Sequence, residues 1–207
     1  MAGRLVVLGA ALVTALGCSA GTSQPTPTPP RPIPSVGLAG REVSLYPLTM
    51  LVADRALGWE TALSPRTNAL ATADSLIAMA VTERAPEVTW ILPDVLRRTA
   101  RQAPGMFANP DQMGTAVLRD PRFDRVPDPL RSDLRLLTGA TGDRLAMIPA
   151  SLLFVADSVN GGRAELSLVL VDVRTGQINW RSVARFSALD PWEALTGALE
   201  SILPVVP

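Results

Sequence analysis

The 207-residue chain has no histidine, no lysine, a single cysteine and a single tyrosine. Without an imidazole it has no usual general base near neutral pH, no usual nitrogen ligand for a metal and no usual pH switch. A Ser-His-Asp or Cys-His catalytic arrangement is therefore excluded within the chain. A zinc site would have to be made from carboxylates and one thiol, so no metal is expected. Aromatic residues amount to 4% of the chain, and the core must be built mainly from Leu, Val, Ala and Ile. Nineteen basic residues, all Arg, balance nineteen acidic ones, and the formal charge is zero. That balance argues against a general nucleic-acid binder, which needs a basic excess to displace counterions from phosphate. What the chain does have is apolar bulk: 47% of its residues are hydrophobic, enough for one domain plus flanking segments.

The lone cysteine stands at an informative place, in "LVTALGCSAG". Residues 1–17 have the layout of an export signal. Arg4 supplies the positive start, and Leu5 to Leu16 form an apolar run. The run is about a dozen residues long, inside the ~7–15 of a signal and short of the ~20 that span a bilayer. Ala15-Leu16-Gly17-Cys18 then resembles a bacterial lipoprotein box, with Ala15 where Leu is usual. The resemblance implies that Cys18 becomes the lipidated first residue of the mature protein, a palmitate-bearing anchor. Ser19 is compatible with sorting to the outer membrane in such families. Two other readings stand beside lipidation: ordinary cleavage after a small-x-small site, leaving a free thiol, and an uncleaved anchor helix. A lone thiol in an exported chain has no disulfide partner, which favours a processing role.

After Cys18 comes a segment that cannot fold by itself. Pro25, Pro27, Pro29, Pro30, Pro32 and Pro34 remove backbone donors and fix φ. Residues 18–41 are expected to form a Pro-rich disordered tether, extended as polyproline II at ~3.1 Å per residue and reaching ~60 Å over about twenty residues. A proline-rich ligand for a partner domain is the rival reading.

Residues 42–207 read as a single α/β domain. "VSLYPLTMLV", 43–52, is expected as a buried first strand, with Pro47 as a bulge or strand end. Ser64 and Pro65 are expected to open a helix whose apolar face holds Ala69, Leu70, Ala73, Leu76, Ile77, Ala80 and Val81. "VTWIL", 88–92, reads as a second strand, parallel to the first. Pro93-Asp94, Asn109-Pro110, Asp128-Pro129 and Asp190-Pro191 each signal a helix start, and Glu193 stands where it could complete a capping box with Asp190. From Arg144 to Phe186, strand-like runs are separated by "VNGG" and "RTG", which predicts two successive hairpins. In the last strand Ile178, Trp180, Ala184 and Phe186 alternate with Gln177, Asn179, Arg181 and Arg185, so one face should be wet. The fold class expected is α/β (α+β): a mixed sheet of about five strands with helices packed on it, ending in a β-meander and a C-terminal helix.

Several motifs could carry chemistry. "TGATGD", 138–143, has the glycines of a phosphate loop but lacks the G-K-[ST] ending and precedes a strand, which fits a helix-to-strand connection. Asp120, Asp124, Asp128 and Asp133 could suggest calcium, yet they interleave with Arg119, Arg122, Arg125, Arg131 and Arg135 and read as surface ion pairs. Arg97, Arg98 and Arg101 form a basic patch, by default a solvated face. Trp90, Trp180 and Trp192 fall on apolar faces, whereas Trp59 is expected to be the exposed one and a partner contact. No cofactor is expected, and no carboxylate pair has the spacing that would single out a glycan-cleaving site.

The tail "LVLVDVRTGQINWRSVARFSALDPWEALTGALESIL" is similar to the small α/β domain of certain bacterial envelope lipoproteins: the curli-export lipoproteins, the penicillin-binding-protein activator lipoproteins and the amino-terminal domain of TolB. The matching hairpin residues are Asp172, Val173, Arg174, Thr175 and Gly176. The resemblance implies an envelope lipoprotein with a partner-binding domain and not a pore; with the lack of catalytic groups and with Ser19, the expectation is a non-enzymatic, periplasm-facing lipoprotein of the outer membrane. It would be held to the membrane by its lipid and would bind another envelope protein, with no nucleic-acid partner. It leaves open a self-assembling subunit of an export complex, and the oligomeric state with it.

Overall fold

A mixed sheet is the middle layer of the domain in the computed structural model, which describes residues 29–157 and 161–203. Two short strands, β1 (Glu42–Leu45) and β2 (Leu51–Ala53), lie one after the other along the long strand β4 (Leu145–Asp157), both parallel to it. Strand β3 (Thr89–Ile91) pairs in parallel with β1. Beyond β4 come β5 (Gly161–Asp172) and β6 (Gln177–Ala188), both antiparallel, giving the order β3-β1-β4-β5-β6. The helices are a single turn α1 (Ser35–Leu38), then α2 (Arg66–Arg84), α3 (Pro93–Gln102), α4 (Leu130–Ala140) and α5 (Pro191–Ile202). The α/β class, the mixed sheet, the closing meander and the C-terminal helix are as the sequence predicts.

The expected first strand is two strands, which makes six among the described residues. The break falls at Pro47, opposite Pro149 and a bulge between Pro149 and Ser151 of β4. Neither proline has an N–H for the ladder, so pairing stops and resumes. The hydrogen bonds Tyr46 N–H to Met147 O (2.9 Å) and Leu152 N–H to Met50 O (2.8 Å) close the gap at either end. The bulge also changes which side chains face which layer. Before it, Leu145 and Met147 face the layer of α2 and α5; after it, Leu152 and Phe154 do.

Both faces of the sheet are covered. On one, Ala73, Ile77 and Val81 of α2 and Leu195, Leu199 and Ile202 of α5 pack on Leu152, Phe154, Leu166 and Leu168. On the other, Leu96 of α3 and Leu134 and Leu137 of α4 pack on Ile148, Val169 and Val171. Each of the larger side chains among these, fully buried, contributes roughly 1.5–3 kcal/mol. Strand β5 lies between two long neighbours and is apolar on both faces at its centre, as expected of an interior strand.

Two local expectations need correction. Ser64 does not cap α2. The helix begins at Arg66, and the Pro65 carbonyl accepts from Asn68 and Ala69. Ile178 and Trp180 do not share a face either. A bulge in β6 pairs Trp180 with Leu170 but Ile178 with the next residue, Val171, so Asn179 is the extra residue and the two side chains point to opposite layers. At α5 the expected cap is made: Asp190 Oδ1 accepts from Trp192 N–H (2.8 Å) and Glu193 N–H (3.1 Å). Glu193 returns no hydrogen bond to Asp190, so the capping box is half formed.

Of the segment 18–41, residues 29–41 are described, and much of that stretch is folded on the domain. Ile33 and Leu38 are 5% and 3% exposed and belong to the core under α5 and α2. Ile33 N–H donates to Ile202 O at 2.9 Å. Burial of these two apolar side chains and the Ile33 hydrogen bond together hold the stretch on the apolar layer.

Candidate interaction surface

Strand β6 ends the sheet, and its outer edge is closed over part of its length only. At its start, residues 124–126 run beside it: Ile178 N–H donates to Asp124 O (3.0 Å) and Val126 N–H to Gly176 O (2.9 Å). Arg181 Nη2 adds a bond to Phe123 O at 2.9 Å. On the α5 side lies the N-terminal stretch, where Arg31 N–H donates to Ser182 Oγ (2.8 Å) and Trp180 Nε1 to Pro32 O (3.0 Å). Beyond these contacts, among the described residues, no strand pairs with the outer side of β6.

Between the two flanking segments is an open groove of about 530 Å³. Arg31, Arg181 and Arg185 line it against one carboxylate, Asp124, with Phe123 and Val183 as apolar walls. Arg185 Nε donates to Glu165 (3.3 Å), but Arg163 donates to the same oxygen (3.1 Å). The Arg181 Nε is buried with no hydrogen-bond partner in the structure. The face of the sheet next to the groove is polar, carrying Arg163, Glu165 and Arg185, while Ser187 Oγ donates to Asp157 Oδ2 at 2.8 Å. From Arg181 onward this is the wet face that the alternation in β6 predicts; before the bulge the faces are exchanged, and Ile178 lies on this side.

The other sequence candidates resolve into structural roles. In "TGATGD" the loop leaves α4 and enters β4, and Asp143 Oδ2 accepts from Ser44 Oγ (2.6 Å) and Thr141 Oγ1 (3.1 Å). It is the helix-to-strand connection expected. Beside it the Tyr46 phenol shares a hydrogen bond with Thr138 Oγ1 (2.9 Å), and burial raises its pKa. Asp172 closes the β5–β6 turn: Oδ1 accepts from Arg174 N–H (3.0 Å) and Thr175 N–H (3.2 Å), and Oδ2 accepts from Arg144 (2.8 Å). Burial alone would raise its carboxyl, but these donors outweigh burial and hold it below the ordinary value. Gly176 takes φ +73° to finish the turn, a conformation that favours glycine.

The basic patch on α3 is divided. Arg98 and Arg101 are exposed, but Arg97 is drawn into a network with Asp74 (2.5 Å), Asp111 (2.7 Å) and Asp94 (3.1 Å). Asp74 is 6% exposed, and burial raises its carboxyl against the pull of Leu48 N–H and Arg97. Sequence reasoning passed over Asp74, although it lies four residues after Leu70 and three before Ile77, on the buried stripe. Its second oxygen accepts from Leu48 N–H (2.8 Å), so it ties the β1–β2 break to α2. Of the Asp/Arg run from 119 to 135, only Asp120 and Arg122 form an ion pair, at 2.6 Å. Among the described residues no three acidic or thiol side chains gather as a metal would need.

Trp59 is not the exposed tryptophan. It meets Phe154 edge-on with centroids 5.4 Å apart and lies so close over Gly162 that an added Cβ would come within 2.3 Å of its ring. The sole exposed aromatic of the meander is Phe186, at 48%, with Leu189 beside it at 81%. Cys18, the signal-like residues 1–17 and Pro25 and Pro27 lie outside the described residues.

No protein-family model and no curated protein matches the chain. Solved structures similar to it include the LpoB C-terminal domain from Salmonella enterica, at 17% identity and TM-score 0.41, covering 72% of this chain and 84% of that one. A PelC dodecamer from Paraburkholderia phytofirmans is similar at 11% identity and TM-score 0.41, covering 84% and 94%. The lipoprotein GNA1162 from Neisseria meningitidis follows at 14% identity and TM-score 0.34, covering 70% and 79%. The lipoprotein group suspected from the tail of the sequence recurs among these neighbours.

Proposed function

We propose that this is a non-enzymatic lipoprotein of the bacterial envelope, anchored through Cys18, whose α/β domain faces the periplasm from the outer membrane and binds another envelope component as an adaptor or activator. The observation that carries the reading is the unpaired outer edge of β6 with an arginine-lined groove beside it. An open sheet edge is a template for another chain, and natural proteins usually cover or blunt it. The position of Cys18 directly after a signal-like segment supports the anchor. The described part of the tether supports a fixed exit point, since Arg31 and Pro32 are hydrogen-bonded beside β6.

The test has two arms. Metabolic labelling with palmitate should mark the full chain and should not mark Cys18→Ser; label that survives the substitution removes the anchor at this position. Crosslinking in intact envelopes, followed by purification of the full chain, should yield one envelope protein in constant ratio. A second reading, a self-assembling subunit of an envelope complex, is favoured instead if the crosslinked product contains only this chain. Mass measurement of the Cys18→Ser protein at rising concentration separates the two, a ring giving a fixed multiple of the chain mass.

A further inference from the structure

We infer that the β6 groove takes an extended, acidic segment of the partner as an added strand. The inference rests on the partner-binding reading above and specifies where and by what chemistry the partner is held. From Trp180 to Ala188 the open edge is about nine residues long, or ~30 Å of strand. Main-chain hydrogen bonds to an edge give affinity without sequence preference, and the flanking side chains supply the selectivity. Here those side chains are Arg31, Arg181 and Arg185 against Asp124 alone, so carboxylates at alternate positions of the incoming strand are matched. Among the described residues Arg31 and Arg181 form no ion pair within 4 Å, Asp120 feels the charge of Arg181 only at longer range, and Glu165 is shared between Arg185 and Arg163. The same charges disfavour a second copy of this chain as occupant. Two β6 edges paired antiparallel about a two-fold axis at Val183 would set Arg181 of each copy opposite Arg185 of the other.

The experiment places a photo-crosslinking amino acid at Val183 in the groove and, separately, at Leu136, which is 53% exposed on α4. Full chains are irradiated in intact cells and the crosslinked peptides sequenced. The expected result is a Val183 adduct on a segment carrying three or more Asp or Glu at alternate positions. Its yield should fall at least tenfold in Arg181→Glu/Arg185→Glu. Because Arg181 and Arg185 also bond Phe123 and Glu165, Arg31→Glu provides a second variant that breaks no side-chain bond, with a severalfold loss expected. A synthetic peptide of alternating Glu and Val should compete, and one of alternating Arg and Val should not. A Val183 adduct on a neutral or basic segment, or on this chain itself, overturns the inference. Adducts from Leu136 but none from Val183 overturn it while leaving partner binding intact. Adducts from neither position remove both.

Discussion

The two ends of the meander are made from the same three strands but differ in cover. At one end, residues 145–150 of β4 and 168–172 of β5 are buried throughout, with α2 and α5 below and α3 and α4 above. At the other end, burial alternates along all three strands: Leu153, Val155, Arg163, Glu165, Val183 and Arg185 are only half-buried. The lesson is a division of labour within one sheet. The twice-covered end holds the domain together, and the once-covered end presents a polar face and a free edge. The parallel strands do not require such length, since β1 and β2 each pair with only three residues of β4.

The sharpest way to break this comparison is to cut the same face at both ends of β4. Ile148 is 0% exposed and faces the α3–α4 layer. Ile148→Ala should cost about 2–5 kcal/mol, the usual range for such a truncation in a core. Leu153 is half-buried near the open end, and Leu153→Ala should cost less than half as much. Urea unfolding with a shared m-value measures both. Equal losses would mean that the far face is packed as tightly as the near one.

The far end has one well-packed face, and Gly162 tests it. A Cβ there would meet Trp59 at 2.3 Å and Leu57 at 2.8 Å. Gly162→Val should therefore push the indole off Phe154 and destabilise by roughly 1–3 kcal/mol, the range for overpacking. The fluorescence difference between this variant and the same variant with Trp59→Phe isolates the Trp59 signal, which should shift to the red. An unshifted Trp59 emission would show that the ring is not held by this contact.

The fold was legible in the sequence because its signals are local. The period-two runs from 144 to 186 with their Gly turns, and the Asp190-Pro191 start, each follow from backbone chemistry at adjacent residues. The bulges at Pro149/Ser151 and at Asn179 were not legible, because a bulge is set by the register of the partner strand. Reading β6 as strict alternation put Ile178 and Trp180 together for that reason. Trp59 was misplaced because the space that receives it is left by Gly162, 103 residues away in the chain and visible only in three dimensions. The same holds for the groove. Arg31, Asp124 and Arg181 lie far apart in sequence, and only the packing of two segments along β6 brings them together.

The near end also has a charge that works, and pH separates it from the charges of the open end. The donors around Asp172 hold its carboxyl below the ordinary value. For a carboxyl depressed in the fold, the stabilisation is complete above the unfolded pKa of ~3.9 and disappears as pH falls through the folded value. Asp172→Asn should thus be less stable than the parent at pH 6–7, and the gap should close as pH drops below ~4. A gap that persists to pH 2 would point to lost geometry of the turn and not to the charge.

The smallest effect is expected where an ion pair looks strongest on paper. Arg122 clasps Asp120 at 2.6 Å and holds its carboxyl at about 2, yet the Arg122 side chain is 87% exposed. Water screens such a pair, and ordering a long side chain offsets what attraction remains. Arg122→Ala should leave Tm unchanged within error at physiological salt. The same reasoning extends to Arg31 in the groove, which forms no ion pair among the described residues and whose backbone, not its guanidinium, bonds Ser182. Arg31→Glu should likewise leave Tm unchanged while altering attachment of an acidic strand. If Arg31→Glu melts the domain earlier and Arg122→Ala does not, the groove arginine belongs to the packing of the N-terminal stretch, and the open end is less free than the comparison of the two ends requires.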